Sequence, residues 1–582
     1  MTVSFAALSP AHASPPPAPT RYWPGRVPTR LTVPQTSVWD NLAVNARRYP
    51  DHAALVFFEQ VITYRQMEQI TERLAAHLHT QGVQRGDRVI LLMQNCPQLV
   101  LAHYAILRAN AVVVPVNPMN TADELAHYIT DADARVAITT TDLAGALAQA
   151  NHQVSQMPGA EPLRHLLITR FADAMPPQVQ QQADFPQAWA AWLLGEHALP
   201  DASLLPGASV ASWQQALQCT NAPPLLSVGA ADMAILPYTS GTTGKPKGCI
   251  HAHSHIQHAV QAGLLWGRQS TESVNLVVAP MFHITGMVSI MHVLIGAGAT
   301  LVIMPRWDRN LAACLMLRWR VTHWANIPTM VVDLLASPQL AQVDMRSLVY
   351  IGGGGAAMPQ PVAQRIKDLW GLDYIEGYGM TETCGASHAN PYEHPKQQCL
   401  GVPHIGMQSK VIDPDSLQEL PPGEVGEIVV RGPQVLQGYW KQPGATETSF
   451  VQVGGERFFR TGDLGYRDED GYFFLTDRLK RMINASGYKV WPAEVESLMY
   501  RHPAILEACV ISARDPYRGE TVKAVVVLRP SHQGQVSEQD IIAWCHEHMA
   551  VYKAPRIVQL VDHLPKSGSG KVMWRLLQEK EL

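Results

Sequence analysis

The chain has 582 residues, more than the ~250–300 that one hydrophobic core organises, so several cores are expected. Apolar residues make up 47%, charged residues 16%, and the formal net charge is −4. That is a globular balance without the basic excess that a nucleic-acid partner requires. Eight cysteines occur, none spaced C-x-x-C, which excludes a zinc knuckle or a thioredoxin-like motif and fits a reducing, cytoplasmic compartment.

Residues 1–30 read as a disordered Pro/Ala-rich leader. Ala11-His12-Ala13 mimics a signal-peptidase site, but no positive charge precedes it and the apolar stretch Phe5–Leu8 is too short for a signal core. No run reaches the ~20 apolar residues of a membrane span. Met291 to Met304 is interrupted by His292 and stops at Pro305-Arg306, as a buried helix-turn-strand would.

From Leu31 the pattern alternates. A strand is expected over Arg88–Leu92 after the turn Arg85-Gly86-Asp87, a helix over Gln98–Arg108, and a strand over Ala111–Pro115. Thr121 then caps a helix, with Glu124 at the capping-box position. This alternation implies a parallel sheet covered on both faces. Residues 151–230, rich in Gln, Pro and Ala, read as an excursion connecting two lobes, with short amphipathic pieces such as Phe185–Leu194. Strands resume at Ala234–Pro237, Leu276–Ala279, Thr300–Met304 and Leu348–Ile351. After about residue 477 a smaller α+β unit is expected: a strand pair Ile505–Ser512 and Thr521–Leu528 around a turn at Arg514–Gly519, then a helix capped by Ser537 and running to His548.

The strongest local signal is Tyr238-Thr239-Ser240-Gly241-Thr242-Thr243-Gly244-Lys245-Pro246-Lys247-Gly248, between an apolar strand and an expected helix. Glycines let backbone N–H groups turn toward an anion, hydroxyls add donors, and Lys245 and Lys247 add charge. An ordinary turn has a similar composition. The spacing is not that of a Walker A loop, because two residues rather than four separate Gly241 and Gly244. His251, His253, His255 and His258 alternate as strand-borne metal ligands would, but a helix is expected there and no Cys or carboxylate accompanies them.

Further segments recur in order: Pro280-Met281-Phe282-His283-Ile284-Thr285-Gly286, Gly354-Gly355-Ala356-Ala357, Gly377-Tyr378-Gly379-Met380-Thr381-Glu382-Thr383, Thr461-Gly462-Asp463, Asp477-Arg478-Leu479-Lys480, and Pro565-Lys566-Ser567-Gly568-Ser569-Gly570-Lys571. With the Tyr238–Gly248 loop they resemble, one by one, the motifs of the adenylate-forming superfamily, which includes acyl- and aryl-CoA synthetases, luciferases and peptide-synthetase adenylation domains. The resemblance spans about residues 40–580.

The resemblance implies an α/β fold: a large multi-lobed domain over 31–479, with layered sheets covered by helices, and a small mobile α+β domain over 480–582. It implies ATP, magnesium and coenzyme A as cofactors, a small-molecule carboxylic acid as partner, and leaves a homodimer open. Lys571 would bridge carboxylate and phosphate oxygens, Glu382 would hold magnesium, and His283 would lie beside the substrate carboxylate. Thr239, Ser240, Gly241, Thr242, Thr243, Gly244 and Lys247 would cradle phosphate, and Thr381 would join them. Gly355, Ala356, Gly377, Tyr378 and Gly379 would hold adenine, with Tyr378 stacked on it. Asp463 and Arg478 would bind ribose. Lys480 would be the hinge, and Ser486, Gly487 and Tyr488 would line the CoA channel.

Taken alone, some of these residues have plainer readings. A lone lysine near a C-terminus is ordinarily solvated, Glu382 would suit a helix N-terminus, and His283 would suit a satisfied core position. The chemistry supports the site roles: carboxylate attack on an α-phosphate gathers negative charge that fixed cations and N–H donors must stabilise. Trp266, Phe282, Thr285, Met287, Trp324, Met380, Cys384 and Gly385 are the expected walls of the acyl pocket. They are mostly apolar, with no Arg or Lys to fix a second carboxylate and no acid to hold an ammonium group, which favours a fatty acid of medium or longer chain. The segment Leu479–Glu496 looks most like bacterial fatty-acyl-CoA ligases. An aryl acid, or a ligase that loads a carrier protein, is the alternative.

Overall fold

The structure is a computed structural model that describes residues 21–581 except 183, 240–245, 338–339, 341–344, 479–480, 482, 486–487, 491, 516–518 and 567–571. Of the expected disordered leader 1–30, residues 21–30 instead pack against the core, with the Trp23 ring 5.3 Å from that of Trp266, and residues 1–20 lie outside the described residues. Among them no helix is long and apolar enough to cross a membrane.

The first sheet has seven strands. Met233–Ile235, Val112–Val116, Arg88–Leu92, Val136–Thr140, His165–Thr169 and Ser209–Ser212 run parallel, with His251–Ala252 antiparallel at one edge. Its central strands are buried on both faces, as helix-covered parallel strands must be. The helix Pro97–Arg108 starts on a proline, whose missing N–H costs nothing in the first turn. Thr121 and Glu124 form the expected capping box. The 151–230 segment is not a simple connection: it supplies two parallel strands to this sheet, His165–Thr169 and the edge strand Ser209–Ser212. Phe185 and Leu193 are buried against the main core. Polar spacing between those short strands hid them from periodicity.

The second sheet has nine strands. Ile375–Met380, Tyr350–Gly353, His323–Asn326, Val274–Val277, Thr300–Ile303 and Ala53–Phe57 are parallel neighbours in that order. The early strand Ala53–Phe57 thus pairs with one nearly 250 residues later, in the register Leu55 to Leu301. Met291–Met304 is the expected buried helix-turn-strand: helix Val293–Ala297, Gly298 in the left-handed conformation at φ 73°, then Thr300–Ile303. The segment before it, Thr285–His292, is a π-helix, a form found mostly at functional sites.

A third, antiparallel sheet was not anticipated. Gln408–Ile412, Gly426–Arg431, Phe450–Val453, Glu456–Arg467 and Phe473–Arg478 build it around Val411, Ile428, Val430 and Phe459. A fourth sheet contains Ile483–Ala485, Tyr488–Val490, Ile505–Asp515, Gly519–Leu528 and Ile557–Leu560, and carries its own cluster of buried residues. The strand pair there is longer than expected, since Arg514 and Asp515 still pair with Glu520 and Gly519. Ser537 caps the helix Glu538–His548 with its hydroxyl accepting from the Asp540 N–H.

Candidate active site

The second sheet positions the site. In parallel sheets ligands bind beyond the carboxyl ends of the strands, and here a cavity of about 680 Å³ opens there. Pro280, Phe282 and His283 follow Val274–Val277. Pro305, Arg306 and Trp307 follow Thr300–Ile303. Gly353 to Gly355 end the next strand but one, and Gly377 to Gly379 lie in Ile375–Met380. A Cβ on Gly379 would come within 2.0 Å of the Gly385 carbonyl, and one on Gly354 within 2.5 Å of that of Gly377. These glycines therefore permit the close strand packing that forms the cavity wall.

The strands Tyr238–Thr239 and Lys247–Gly248, which flank the phosphate loop in sequence, pair antiparallel. Ser240, Gly241, Thr242, Thr243 and Gly244 lie outside the described residues. The helix expected directly after the loop begins only at His253, after the short strand His251–Ala252. Lys247 places its ammonium 5.2 Å from the Tyr439 ring centroid. The Tyr439 hydroxyl donates to Glu382 Oε1 at 3.1 Å. One tyrosine thus ties the loop lysine to the candidate magnesium carboxylate. Glu382 is buried, 6% exposed, in the short 3-10 turn Thr381–Thr383. Its carbonyl accepts from the Leu436 N–H at 2.8 Å. One carboxylate suits magnesium, which takes one or two together with substrate phosphates. Among the described residues no group of three His, Cys, Asp or Glu could hold a metal alone.

Asp463 is 2% exposed and accepts a short hydrogen bond from the Tyr378 hydroxyl. In the register of the two strands it faces Arg478, whose side chain is outside the described residues. The adenine and ribose candidates are therefore joined directly. Gly355 and Ala356 are exposed at the strand end. Lys571, Lys480, Ser486 and Gly487 lie outside the described residues, and Tyr488 is placed only by its backbone, in the strand Tyr488–Val490.

Of the expected acyl walls, Trp266, Phe282, Thr285 and Gly385 line the cavity, as does His283. Four others do not. Met287 is fully buried two positions from Thr285, on the opposite face of the helix from Thr285 and Ser289, which line the cavity. Trp324 is fully buried and stacks on Trp307, ring centroids 5.7 Å apart, and it is Trp307 that reaches the cavity. Met380 packs toward the third sheet, and Cys384 is fully buried. The expectation of a wall without cations also needs correction: Arg306 lines the cavity, its guanidinium 3.8 Å from the Trp192 ring centroid. Arg306 and Trp307 had a usable signal, the carboxyl end of a strand. Tyr439 had none, since nothing local marks it.

The four histidines do not form a metal centre. His251 donates to the Thr381 carbonyl at 2.7 Å and meets His255 at 3.2 Å. His253 accepts from the Val38 N–H, and His258 pairs with Gln434. Burial pushes His251 down to about 3 and His253 and His255 to about 4, and lowers His258. They are neutral structural hydrogen-bonding groups, and unfolding exposes them to protonation near 6.5. The unfolded chain then binds more protons, so stability is present above pH ~6.5 and is lost as pH falls toward ~4. Thermal melts at pH 7 and pH 5 should show a clearly lower Tm at pH 5; equal values would contradict the neutral, buried assignment.

The AMP-binding enzyme family matches residues 42–440, and the AMP-binding enzyme C-terminal domain matches 494–571. A long-chain-fatty-acid–CoA ligase of Bacillus subtilis is 33% identical over 572 residues, covering 96% of this chain and 97% of that one. A feruloyl-CoA synthase of an Amycolatopsis species is 32% identical over 533 residues, covering 91% and 96%. The crystal structure of ATP-bound MatB from Rhodopseudomonas palustris superposes with a TM-score of 0.75 at 26% identity, covering 94% and 99%. With the AMP-binding enzyme model matched over more than half of its length and the C-terminal domain model matched beyond it, the chain belongs to the AMP-binding enzyme family.

Proposed function

We propose that the protein is an ATP-dependent acyl-CoA synthetase that activates a medium- or long-chain fatty acid as acyl-AMP, releases pyrophosphate, and transfers the acyl group to coenzyme A. The observation that carries this reading is the continuous cavity joining the Gly377–Gly379 wall and His283 to a largely apolar interior between the second sheet and the helix His253–Trp266. ATP, magnesium and coenzyme A are its cofactors. Glu382 would hold magnesium, Tyr378, Asp463 and Arg478 the nucleoside, and Lys571 the reacting oxygens. The near-full-length fatty-acid ligase relative supports the substrate class. The test is pyrophosphate release from ATP and magnesium across acids of increasing length, with and without CoA. Release that needs no acid overturns the reading. Release without CoA-dependent thioester favours a carrier-protein ligase. Preference for hydroxycinnamates, the reading that the feruloyl-CoA synthase relative favours, would make it an aryl-CoA ligase.

Ala259, on the cavity side of the helix His253–Trp266, allows a steric test of the acyl path without altering a glycine. Ala259→Phe should move the chain-length optimum to shorter acids and lower kcat/KM for long ones by about tenfold or more, the scale of losing a few buried methylenes. An unchanged length profile in an active variant would place the chain elsewhere.

We also assign residues 31–479 to a large nucleotide- and acyl-binding domain and 480–582 to a small mobile one, in a cytoplasmic enzyme. Lys571 and the Ser486–Lys489 loop both follow Lys480, so rotation there would exchange one for the other at the carboxyl carbon. Proline fixes φ near −65° and removes the N–H. Lys480→Pro should therefore keep most adenylation while losing most thioester formation. Acyl-CoA production near the wild-type rate would rule out alternation about this residue.

A further inference from the structure

The far end of the cavity is polar, and adenylation has no use for it. The reacting end lies at the carboxyl termini of the strands, beside His283, Gly354 and Gly379. Asn275 and Tyr350 also line the cavity, but they sit at the amino-terminal ends of Val274–Val277 and Tyr350–Gly353. Asn275 pairs in register with His323, and His323 with Tyr350, so the three form one row across the sheet. From Asn275 to Ala279 the extended chain advances roughly 13 Å at ~3.3 Å per residue. At roughly 1.3 Å of advance per carbon, given C–C bonds of about 1.5 Å, that span takes about ten carbons.

The polar groups of this floor have unused capacity. Asn275, 5% exposed, exchanges two hydrogen bonds with Gln269, at 3.2 and 3.3 Å, and Gln269 also lines the cavity. A primary amide offers two donors and an acceptor oxygen with two lone pairs, so each keeps a donor and an acceptor position beyond the pair. The Tyr350 hydroxyl makes no hydrogen bond to the described residues. His404, another lining residue, has its ring 4.8 Å from Trp266 at the end of the same helix, and its buried Nδ1 has no partner among the described residues. Buried polar groups without partners are costly, and a methyl-ended chain would leave these so. The nearest cation in sequence, Arg268, is ion-paired with Glu393 and does not line the cavity. Arg306 lies at the opposite ends of the strands. A second carboxylate therefore has no counter-charge here, and a neutral oxygen does have donors and acceptors.

We propose that the Gln269–Asn275–Tyr350 floor selects acids whose chain bears a hydroxyl or keto oxygen about ten carbons from the carboxylate. This rests on the cavity being the acyl site. The test uses the full chain with ATP, magnesium and CoA, and compares decanoic acid with 10-hydroxydecanoic acid by pyrophosphate release. The hydroxy acid should show a kcat/KM about tenfold or more above decanoate, the scale of leaving a buried polar group unpaired. Tyr350→Phe, which removes one atom, and Asn275→Leu should each bring the ratio toward one or below, chiefly by improving decanoate. A wild-type ratio of one or less, or a ratio that neither variant changes, overturns the proposal while leaving the fatty-acid reading intact. If no fatty acid of any length supports pyrophosphate release, the acyl-CoA synthetase reading fails and this proposal fails with it.

Discussion

Replacing Lys571 with alanine is expected to slow acyl-adenylate formation by about 10²–10³-fold or more, the scale for removing one donor that stabilises charge in a transition state. The carboxylate and the α-phosphate are both anionic, and their approach concentrates charge that a fixed ammonium group can offset. The family's C-terminal domain match ends at residue 571. Its loop is anchored on both sides: Lys566 and Val572 form an antiparallel bridge, and the Met573 N–H donates to the Pro565 carbonyl at 2.8 Å. Thioester formation from supplied acyl-AMP should be spared, because that step no longer needs the carboxylate-to-phosphate bridge. Single-turnover assays of the two half-reactions separate the cases. Equal losses in both would point to misfolding or to a shared role and would remove Lys571 from the adenylation step.

The second large effect is expected at Glu382. Glu382→Gln keeps the side-chain shape and an oxygen for the Tyr439 hydroxyl, so the fold should persist, but the charge is lost. Adenylation at fixed magnesium should fall by about 10²-fold or more, with a raised magnesium requirement, since a hard cation prefers an anionic oxygen. A magnesium titration of pyrophosphate release measures both. If the variant saturates at wild-type magnesium and wild-type rate, Glu382 is only a partner of Tyr439 and the metal is held elsewhere. Tyr439→Phe supplies the contrast: it removes the hydroxyl bonded to Oε1 but leaves the carboxylate, so its loss should be much smaller.

Local chemistry was legible without the fold. The capping box at Thr121–Glu124 was read from residues three apart, and Ser537 was read as a cap, because the hydrogen bonds that cap a helix span one turn. The strands Arg88–Leu92 and Thr300–Ile303 were legible as short apolar runs, and the order of the motifs was legible only through their resemblance to those of the adenylate-forming superfamily. Tertiary structure alone decided which side chains meet. The pairing of Ala53–Phe57 with Thr300–Ile303 carries no local signal. Tyr439 reaches Glu382 across 57 positions, and Tyr378 reaches Asp463 across 85. The cavity wall was the hardest to foresee. Periodicity says that residues share a face, but not what the face meets. Met287 fell on the face of its helix opposite Thr285 and was buried in the core, and the Trp307 ring covered Trp324. The four histidines show the same limit. Their spacing allowed a metal site, and only burial beside Thr381, Val38 and Gln434 made them neutral hydrogen-bonding partners, because desolvation disfavours the charged imidazolium.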